Sequence, residues 1–202
     1  MPRGATAKGE ATVQSILAES RRLFVADGYA AVSVRMIADA VGVRVGALYN
    51  HFPTKQAILF RLMDAHMDAL LAAWAAEAAR HSTPAKRLAA FARFHIRYHI
   101  DRPDDVVLAY MELRSLTPEN YLVIEEKRRA YEDQIKDILT AGRGQFRFGD
   151  EHLSAMAILA MLTGVTTWYR PGGRLTATEI EDEYATLVLN SVGHQTKDLA
   201  HV

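Results

Sequence analysis

Apolar residues recur along this chain at spacings of three and four, and no alternating run rich in Val, Ile and Thr interrupts them. This is the period of an amphipathic helix, and the pattern therefore predicts an all-α fold. Capping residues and Gly or Pro stops divide the pattern into nine predicted helices, at about 11–26, 34–40, 44–52, 55–79, 84–101, 104–115, 118–141, 150–169 and 177–192.

The first three helices are closely spaced and have clear boundaries. Gly28 follows the first helix as a C-terminal stop, and Ser33 is a natural N-cap for the second. Gly42 supplies a tight turn, and Pro53 disfavours helical geometry at the residue before it. In the second helix we expect Met36, Ile37 and Ala40 to face inward. For the last helix, Thr178 with Glu181 is the predicted start signal.

The second and third helices, joined through Gly42, match a helix-turn-helix. Leu48 and Phe52, spaced i and i+4, would hold the third helix on the core. The residues left on its other faces are Arg44, Val45, Ala47, Tyr49, Asn50 and His51. Tyr49 and His51 are able to donate to phosphates, Asn50 or Arg44 to read base edges, and Gly46 removes a side chain where a DNA backbone would approach.

The stretch "FVADGYAAVSVRMIADAVGVRVGALYNHFPTKQAIL", residues 24–59, resembles the DNA-binding domain of the TetR family of transcriptional repressors. The resemblance implies a homodimer of all-α subunits with a three-helix DNA-binding head, whose third helix enters the major groove, and a C-terminal ligand-binding body. It places Ser33 and Arg35 at phosphates, Arg44, Val45, Gly46 and Ala47 at bases, and Tyr49, His51 and Lys55 as clamps on the backbone. Arg44 and Val45 depart from the usual pattern, and so the operator sequence does not carry over from relatives.

The predicted domains are a disordered tail at 1–10, a helix-turn-helix domain at 11–54, and a ligand-binding and dimerisation domain at 55–202. Charge supports a polyanion partner for the first part, because residues 1–60 hold seven Lys and Arg against four acidic residues in a chain of zero net charge. At the start of the fourth helix, Lys55 stands where free N–H groups and the helix dipole already favour an anion.

Composition excludes several classes of protein. Without cysteine the chain has no disulfide, thiolate metal site or cysteine nucleophile. No run of about 18 apolar residues exists, and the N-terminus lacks the apolar segment of a signal peptide, so we expect a cytoplasmic protein with no membrane partner. No serine elbow, phosphate loop or dinucleotide fingerprint is present, and we expect neither enzymatic activity nor a cofactor.

In the C-terminal part, "TTWYRPGGRLTATEIEDEY", residues 166–184, resembles a TetR subgroup that represses fatty-acid or steroid degradation genes and releases DNA on binding acyl-CoA. Trp168 and Tyr169 close the eighth predicted helix, and Arg170 offers a charge at its C-terminal end. A direct ligand role and a helix-ending loop packed at the dimer seam are both open for this segment.

The fifth predicted helix contains "FARFHIRYHI", residues 91–100, in which His95 and His99 are spaced i and i+4. One interpretation is that the two histidines bind a metal ion, but the sequence offers too few further metal ligands. The other interpretation, which we favour, is that they are polar groups lining an otherwise apolar ligand pocket. The predicted ligand-binding residues are Phe91, Phe94, His95, Tyr98, Met111, Met161, Leu162, Trp168 and Arg170. The charged run at 125–133 is interpreted as a solvated face whose Lys127, Arg128 and Arg129 are also candidates for CoA phosphates.

Together these patterns predict a ligand-responsive repressor that binds a palindromic double-stranded DNA operator as a homodimer. A small hydrophobic effector, an acyl-CoA, would release it. The alternative effector is a planar hydrophobic drug or aromatic compound. A constitutive architectural DNA-binding protein is the remaining competitor, but about 140 residues of amphipathic helix exceed what dimerisation alone requires.

Overall fold

The computed structural model describes residues 7–194, and it confirms the all-α class over that range. The helices are α1 Ala7–Asp27, α2 Val34–Val41, α3 Val45–Tyr49, α4 Lys55–Ala78, α5 Pro84–Ile100, α6 Pro103–Met111, α7 Pro118–Ala141, α8 Glu151–Trp168 and α9 Ala177–Ser191, with a 3-10 helix at Leu113–Ser115. None of the helices in this range is long and apolar enough to cross a membrane.

Side-chain caps set most helix starts, as the sequence predicts. The hydroxyls of Thr54, Thr83 and Thr117 and the carboxylate of Asp150 each accept a backbone N–H three residues on. These bonds satisfy donors that have no partner inside the helix.

The last helix is an exception, because its cap is Thr176 rather than the predicted Thr178. The Thr176 hydroxyl accepts from the Glu179 N–H at 3.2 Å, and the Glu179 carboxylate accepts from the Thr176 N–H at 2.7 Å. Both threonines stand three residues before a glutamate, and so spacing alone could not separate them. Glu181 is buried and paired with an arginine of α5 instead.

Three boundaries differ from the predicted ones by more than one residue. Helix α3 ends at Tyr49 and not at Phe52, since residues 50 and 51 form a turn and Phe52 directly precedes Pro53. The segment predicted as 104–115 is α6 followed by the separate 3-10 helix. Helix α1 starts at Ala7, so the last four residues of the predicted tail at 1–10 are helical, while residues 1–6 lie outside the described range.

The chain divides into two compact units. We call the first the head unit, residues 7–66 with 104–125, and the second the body unit, residues 67–103 with 126–194. The head unit therefore includes the first half of α4, up to His66. The predicted domain boundary lies at the start of that helix, after residue 54. The fully buried large side chains of the head unit include Ile16, Phe24, Ile37, Leu48, Ile58 and Leu59.

In the body unit α5 packs against α8 and α9. The Trp74 and Phe91 rings meet edge to face, with centroids 4.8 Å apart, inside a core that also contains Ile96, Leu162 and Leu189. Arg97 donates to the Glu181 carboxylate at 2.8 Å, and this bond to an anion raises the pKa of Arg97. A pair between Arg93 and Asp182 at 2.7 Å ties the same two helices together.

The loop after α7 closes on the end of α9. The Arg147 N–H donates to the Val192 carbonyl at 2.6 Å, and the Phe146 ring is buried against Gly142. A Cβ at Gly142 would overlap that ring, whereas a Cβ at the neighbouring Gly144 would meet nothing within 4 Å. Gly142 is therefore required by packing and Gly144 is not.

We expect Gly142→Ala to destabilise the body unit by about 1–3 kcal/mol, because the methyl group must displace the packed Phe146 ring. Gly144→Ala is the matched control and should leave stability within about 0.5 kcal/mol. Thermal and urea unfolding of the two variants would show the difference, and equal midpoints would contradict the packing role of Gly142.

Candidate nucleic-acid interface and ligand sites

The start of α2 is held by a reciprocal cap. The Ser33 hydroxyl accepts from the Met36 N–H at 3.2 Å, and the Met36 sulfur accepts from the Ser33 N–H at 3.5 Å. Met36 is consequently 39% exposed, and the prediction that it faces inward is wrong. Ala40 is exposed as well, and the buried pair on this helix is Ile37 with Ala38.

Gly42 sets the turn between α2 and α3. Its φ of 74° and ψ of 31° lie in the left-handed region, which glycine adopts without the strain that a Cβ brings. The N–H groups of Gly42 and Val43 donate to the Asp39 and Ala38 carbonyls, closing the end of α2. The chain can therefore change direction sharply, and only residues 42–44 separate α2 from α3.

Helix α3 is anchored by Leu48, which is fully buried, and by Phe52 just beyond its end. Its N-cap is Arg44, whose side chain makes no capping bond. The polar side chains around this anchor are exposed and make no hydrogen bond or ion pair within residues 7–194: Arg35, Arg44, Tyr49, Asn50 and His51. One small surface thus presents five uncommitted polar groups, beside the exposed Ser33, Gly46 and Ala47 and the half-buried Val45.

Gly46 has no structural reason to be glycine in the protein as described. Its φ is ordinary for a helix, and a Cβ added there would have nothing within 4 Å. Glycine inside a helix costs up to about 1 kcal/mol relative to alanine. The bare backbone at this position therefore favours an explanation outside the chain, such as close approach by a ligand.

Lys55 has a different environment from the other predicted clamps. Its ammonium donates to the carbonyls of Tyr29 and Val32, both at 2.7 Å, and lies 4.2 Å from the centroid of the Tyr29 ring. Burial lowers the pKa of Lys55, and nearby Glu112 opposes that shift. Two of its three N–H groups are thus used inside the head unit, and its role at a phosphate stays a prediction.

The body unit contains a fully buried histidine, His95. Its Nδ1 lies 3.2 Å from the Tyr131 hydroxyl, its Nε2 lies 3.2 Å from the Thr163 hydroxyl, and its ring stacks on His99 with centroids 4.0 Å apart. Burial, with His99 as a second cause, holds the pKa of His95 well below its usual value. His95 is therefore a neutral hydrogen-bonding group in an apolar core.

Four of the predicted ligand residues lie on α5 and α8, the helices that carry His95 and Thr163. Phe91 is fully buried 6.0 Å from the His95 ring, the Phe94 and Tyr98 rings are 5.4 Å apart, and Leu162 is fully buried on α8. Tyr131 and Thr163 were not predicted from the sequence as partners of His95. Tyr131 continues the apolar stripe of α7 formed by Ile124, Ile135 and Ile138, a signal hidden by the charged residues beside it.

In the part of the chain that the structure describes, no third metal ligand accompanies His95 and His99. His99 Nδ1 is 2.7 Å from the His95 carbonyl oxygen, and both His95 nitrogens face hydroxyl groups. Across residues 7–194 no group of three His, Cys, Asp or Glu side chains is arranged to hold a metal ion.

A second group of predicted ligand residues lies at the turn between α8 and α9. A pocket of about 380 Å³ opens there, and its walls are Trp168, Tyr169, Arg170, Gly173, Arg174, Leu175 and Ile180. Trp168 is 48% exposed, while the Arg170 guanidinium donates to the Tyr169 carbonyl at 2.7 Å. We call this the turn pocket.

The two remaining predicted ligand residues differ in environment. Met161 is half-buried on α8 in the body unit. Met111 belongs to the head unit and is 74% exposed, so the structure does not group it with the body residues. It is the last residue of α6, just ahead of the 3-10 helix.

Comparison with known proteins assigns the family. Residues 16–62 match the model described as bacterial regulatory proteins, tetR family, and residues 81–192 match the tetracyclin repressor-like, C-terminal domain. The chain belongs to the TetR family. It is accordingly a DNA-binding transcriptional repressor and not an enzyme.

Relatives at moderate identity cover almost the whole chain. The HTH-type transcriptional repressor KstR2 of Mycobacterium tuberculosis is 29% identical over 84% of this chain and 87% of its own length. A tetR-family regulatory protein from Rhodococcus RHA1 is 28% identical, with a TM-score of 0.85 over 91% of this chain and 98% of that chain. AibR, solved with isovaleryl coenzyme A and operator DNA, is 26% identical, with a TM-score of 0.79 over 87% and 97%.

Acid should destabilise the protein through His95. Because the folded state keeps this imidazole neutral while the unfolded chain protonates it near pH 6.5, stability is full above that pH and falls below it, by up to about 1.4 kcal/mol per pH unit. Urea unfolding at pH 7.5 and 5.5 should show a smaller pH effect in His95→Gln, with exposed His51→Ala as control. An undiminished pH effect in His95→Gln would contradict this.

Gly46→Ala should separate stability from DNA binding. Alanine has the better helix propensity and meets no clash in the free protein, so we expect a gain of up to about 1 kcal/mol in the free energy of unfolding. If a DNA backbone approaches Gly46, the same methyl group should weaken operator binding about tenfold or more. A stabilised variant with unchanged operator affinity would show that Gly46 does not face DNA.

Proposed function

We propose that this repressor binds an inverted-repeat operator as a homodimer in the cytoplasm and leaves it when an acyl-CoA binds the body unit. The observation that carries the effector part is the turn pocket, which combines an exposed tryptophan with two arginines. Each part rests on a different surface.

The DNA part rests on the uncommitted polar groups around α3. Arg44 stands at the start of the helix, where its guanidinium suits the O6 and N7 acceptors of guanine, and Asn50 suits adenine. Val45 and Ala47 offer apolar contact to thymine methyl groups. Arg35, Tyr49, His51 and the Ser33 hydroxyl serve phosphates, which position the protein without reading sequence. Lys55 would add its remaining N–H.

The homodimer part rests on an apolar stripe along α8. Leu153, at 68% exposed, is followed on the same face by Met156, Ala160 and Trp168, and Leu187 of α9 is exposed as well. Large exposed apolar side chains in a row are typical of an interaction surface. In a dimer with a twofold axis, the stripe of one subunit would pack against the same stripe of the other. A dimer also matches an inverted repeat, because each half-site then meets one α3.

The effector part rests on the chemistry of coenzyme A. Its phosphates need cations, which Arg170 and Arg174 supply, and its adenine suits the exposed face of Trp168. The acyl group would need apolar surroundings, for which the body unit offers Phe91, Phe94, Tyr98, Met161 and Leu162. AibR, a relative of the same fold, is described in complex with isovaleryl coenzyme A.

A planar aromatic effector is the second candidate. Trp74 lies 4.8 Å from Phe91 and 5.5 Å from Phe94, and Phe94 lies 5.4 Å from Tyr98, so aromatic faces dominate one part of the body unit. Such a ligand would stack on these rings and would need neither arginine of the turn pocket. This difference makes the two candidates separable.

The test compares DNA release by long-chain or ring-bearing acyl-CoAs with release by the free acids, on an inverted repeat found by footprinting. The thioester should act at lower concentration, and Arg174→Ala or Arg170→Ala should raise the required concentration about tenfold or more, because a charge-assisted bond is lost. Exposed Arg80→Ala, outside the pocket, is the control.

The contrary outcomes have separate meanings. Equal potency of acid and thioester would reject the coenzyme A proposal and favour the aromatic candidate. An effector releases DNA only if it prefers the state that does not fit the operator, so binding without release would reject the regulatory part alone. A monomer that ignores every inverted repeat would reject the operator proposal itself.

A further inference from the structure

A second concave site lies in the head unit, between α1 and α4. It is a cleft of about 200 Å³ whose walls come from one face of each helix. The lining residues of α1 fall at positions 14, 17, 18 and 21, and those of α4 at 61, 62 and 65. None of these residues belongs to the proposed DNA surface or to the turn pocket. We call this site the head cleft.

The polar rim of the head cleft is cationic. Arg61 is exposed and forms no hydrogen bond or ion pair with any residue in the 7–194 range, and the same holds for the Gln14 amide. Arg21 also lines the cleft, with its Nε held 2.8 Å from Asp105 of α6. Among the lining residues there is no acidic side chain. The rim therefore offers a free guanidinium and an amide donor to an anion.

The floor of the head cleft is apolar. Leu62 is buried and Leu17 is half-buried, and the exposed Ala18 and Ala65 complete the apolar lining. A cavity of roughly 150 Å³ lined by apolar residues is enough to hold benzene. A cleft of this size accommodates one ring or a short chain together with a carboxylate.

We propose that the head cleft binds a small organic carboxylate. Its carboxylate would lie on Arg61, with the Gln14 amide as a second donor, and its apolar part would cover Leu17, Leu62 and the two alanines. The planar guanidinium matches a carboxylate with two parallel bonds, which gives orientation as well as affinity. This site is independent of the acyl-CoA proposal, since it shares no residue with the turn pocket.

A DNA phosphate is the competing anion for Arg61. A phosphodiester needs cationic and polar donors only, and it gains nothing from an apolar floor enclosed by two helices. The combination of a free cation above a concave apolar surface is typical of small-molecule sites. The head cleft therefore favours a carboxylate with an apolar body.

Benzoate is a suitable probe, with benzamide as its uncharged match. In full-length protein labelled at alanine methyl groups, titration with benzoate should shift the Ala18 and Ala65 signals, and benzamide should shift them at least about tenfold more weakly. Arg61→Ala should weaken benzoate binding by a similar factor. Arg22→Ala, which removes an exposed arginine of α1 paired with Glu19, should not. Ala18→Leu, which fills the floor, should abolish the response at Ala65.

Three outcomes would overturn the proposal. Unmoved Ala18 and Ala65 signals at saturating benzoate would show that the cleft does not bind carboxylates. Equal responses to benzoate and benzamide, or wild-type affinity in Arg61→Ala, would remove the role of charge. Shifts of these methyl groups on adding operator DNA but not benzoate would assign Arg61 to DNA.

Discussion

The ammonium of Lys55 fixes the arrangement of the head unit, because it joins the first residue of α4 to the turn between α1 and α2. The carbonyls of Tyr29 and Val32 lie in that turn and have no helical N–H to pair with. A charged donor satisfies both at 2.7 Å, and the Tyr29 ring beneath it adds a favourable cation–π contact. Glu112, which accepts from the Tyr29 N–H, balances the charge at the same place.

This arrangement changes how Lys55 would contribute to DNA binding. A lysine directed only at phosphate acts as a point charge and weakens every sequence equally when it is removed. Here its removal would also leave two carbonyls unpaired, at a cost of about 1–3 kcal/mol each where they are buried. The turn that precedes α2 would then lose its attachment to α4. Replacing Lys55 would therefore remove a positive charge and also release the turn from α4. A loss of DNA binding after such a substitution does not by itself identify a phosphate contact.

Periodicity and caps predicted the helices of this chain because both are local signals. Helix α7 begins and ends at the predicted residues, and Gly42 forms the predicted turn. The errors have two origins. Met36 is apolar and in register for the core, yet its sulfur accepts from the Ser33 N–H three residues away, a local cap contact that the hydrophobic period does not indicate. Thr163 has the pattern of an ordinary helix residue, and its partner His95 lies on another helix, 68 residues away along the chain, where spacing within one helix cannot find it.

The polar groups around α3 and those around His95 differ in whether they have partners inside the described protein, and this difference constrains what each place can bind. Around α3 the polar side chains have no partner in the described protein, so a DNA groove can use them without breaking an internal bond. His95 is buried, and both of its ring nitrogens face hydroxyl groups. An effector that separated His95 from Thr163 or Tyr131 would have to supply a replacement hydrogen bond, since each buried group left unpaired costs about 1–3 kcal/mol. A purely hydrocarbon group gains most by avoiding this cluster and contacting only the surrounding apolar and aromatic side chains, whereas an oxygen-bearing acyl group has a reason to reach it.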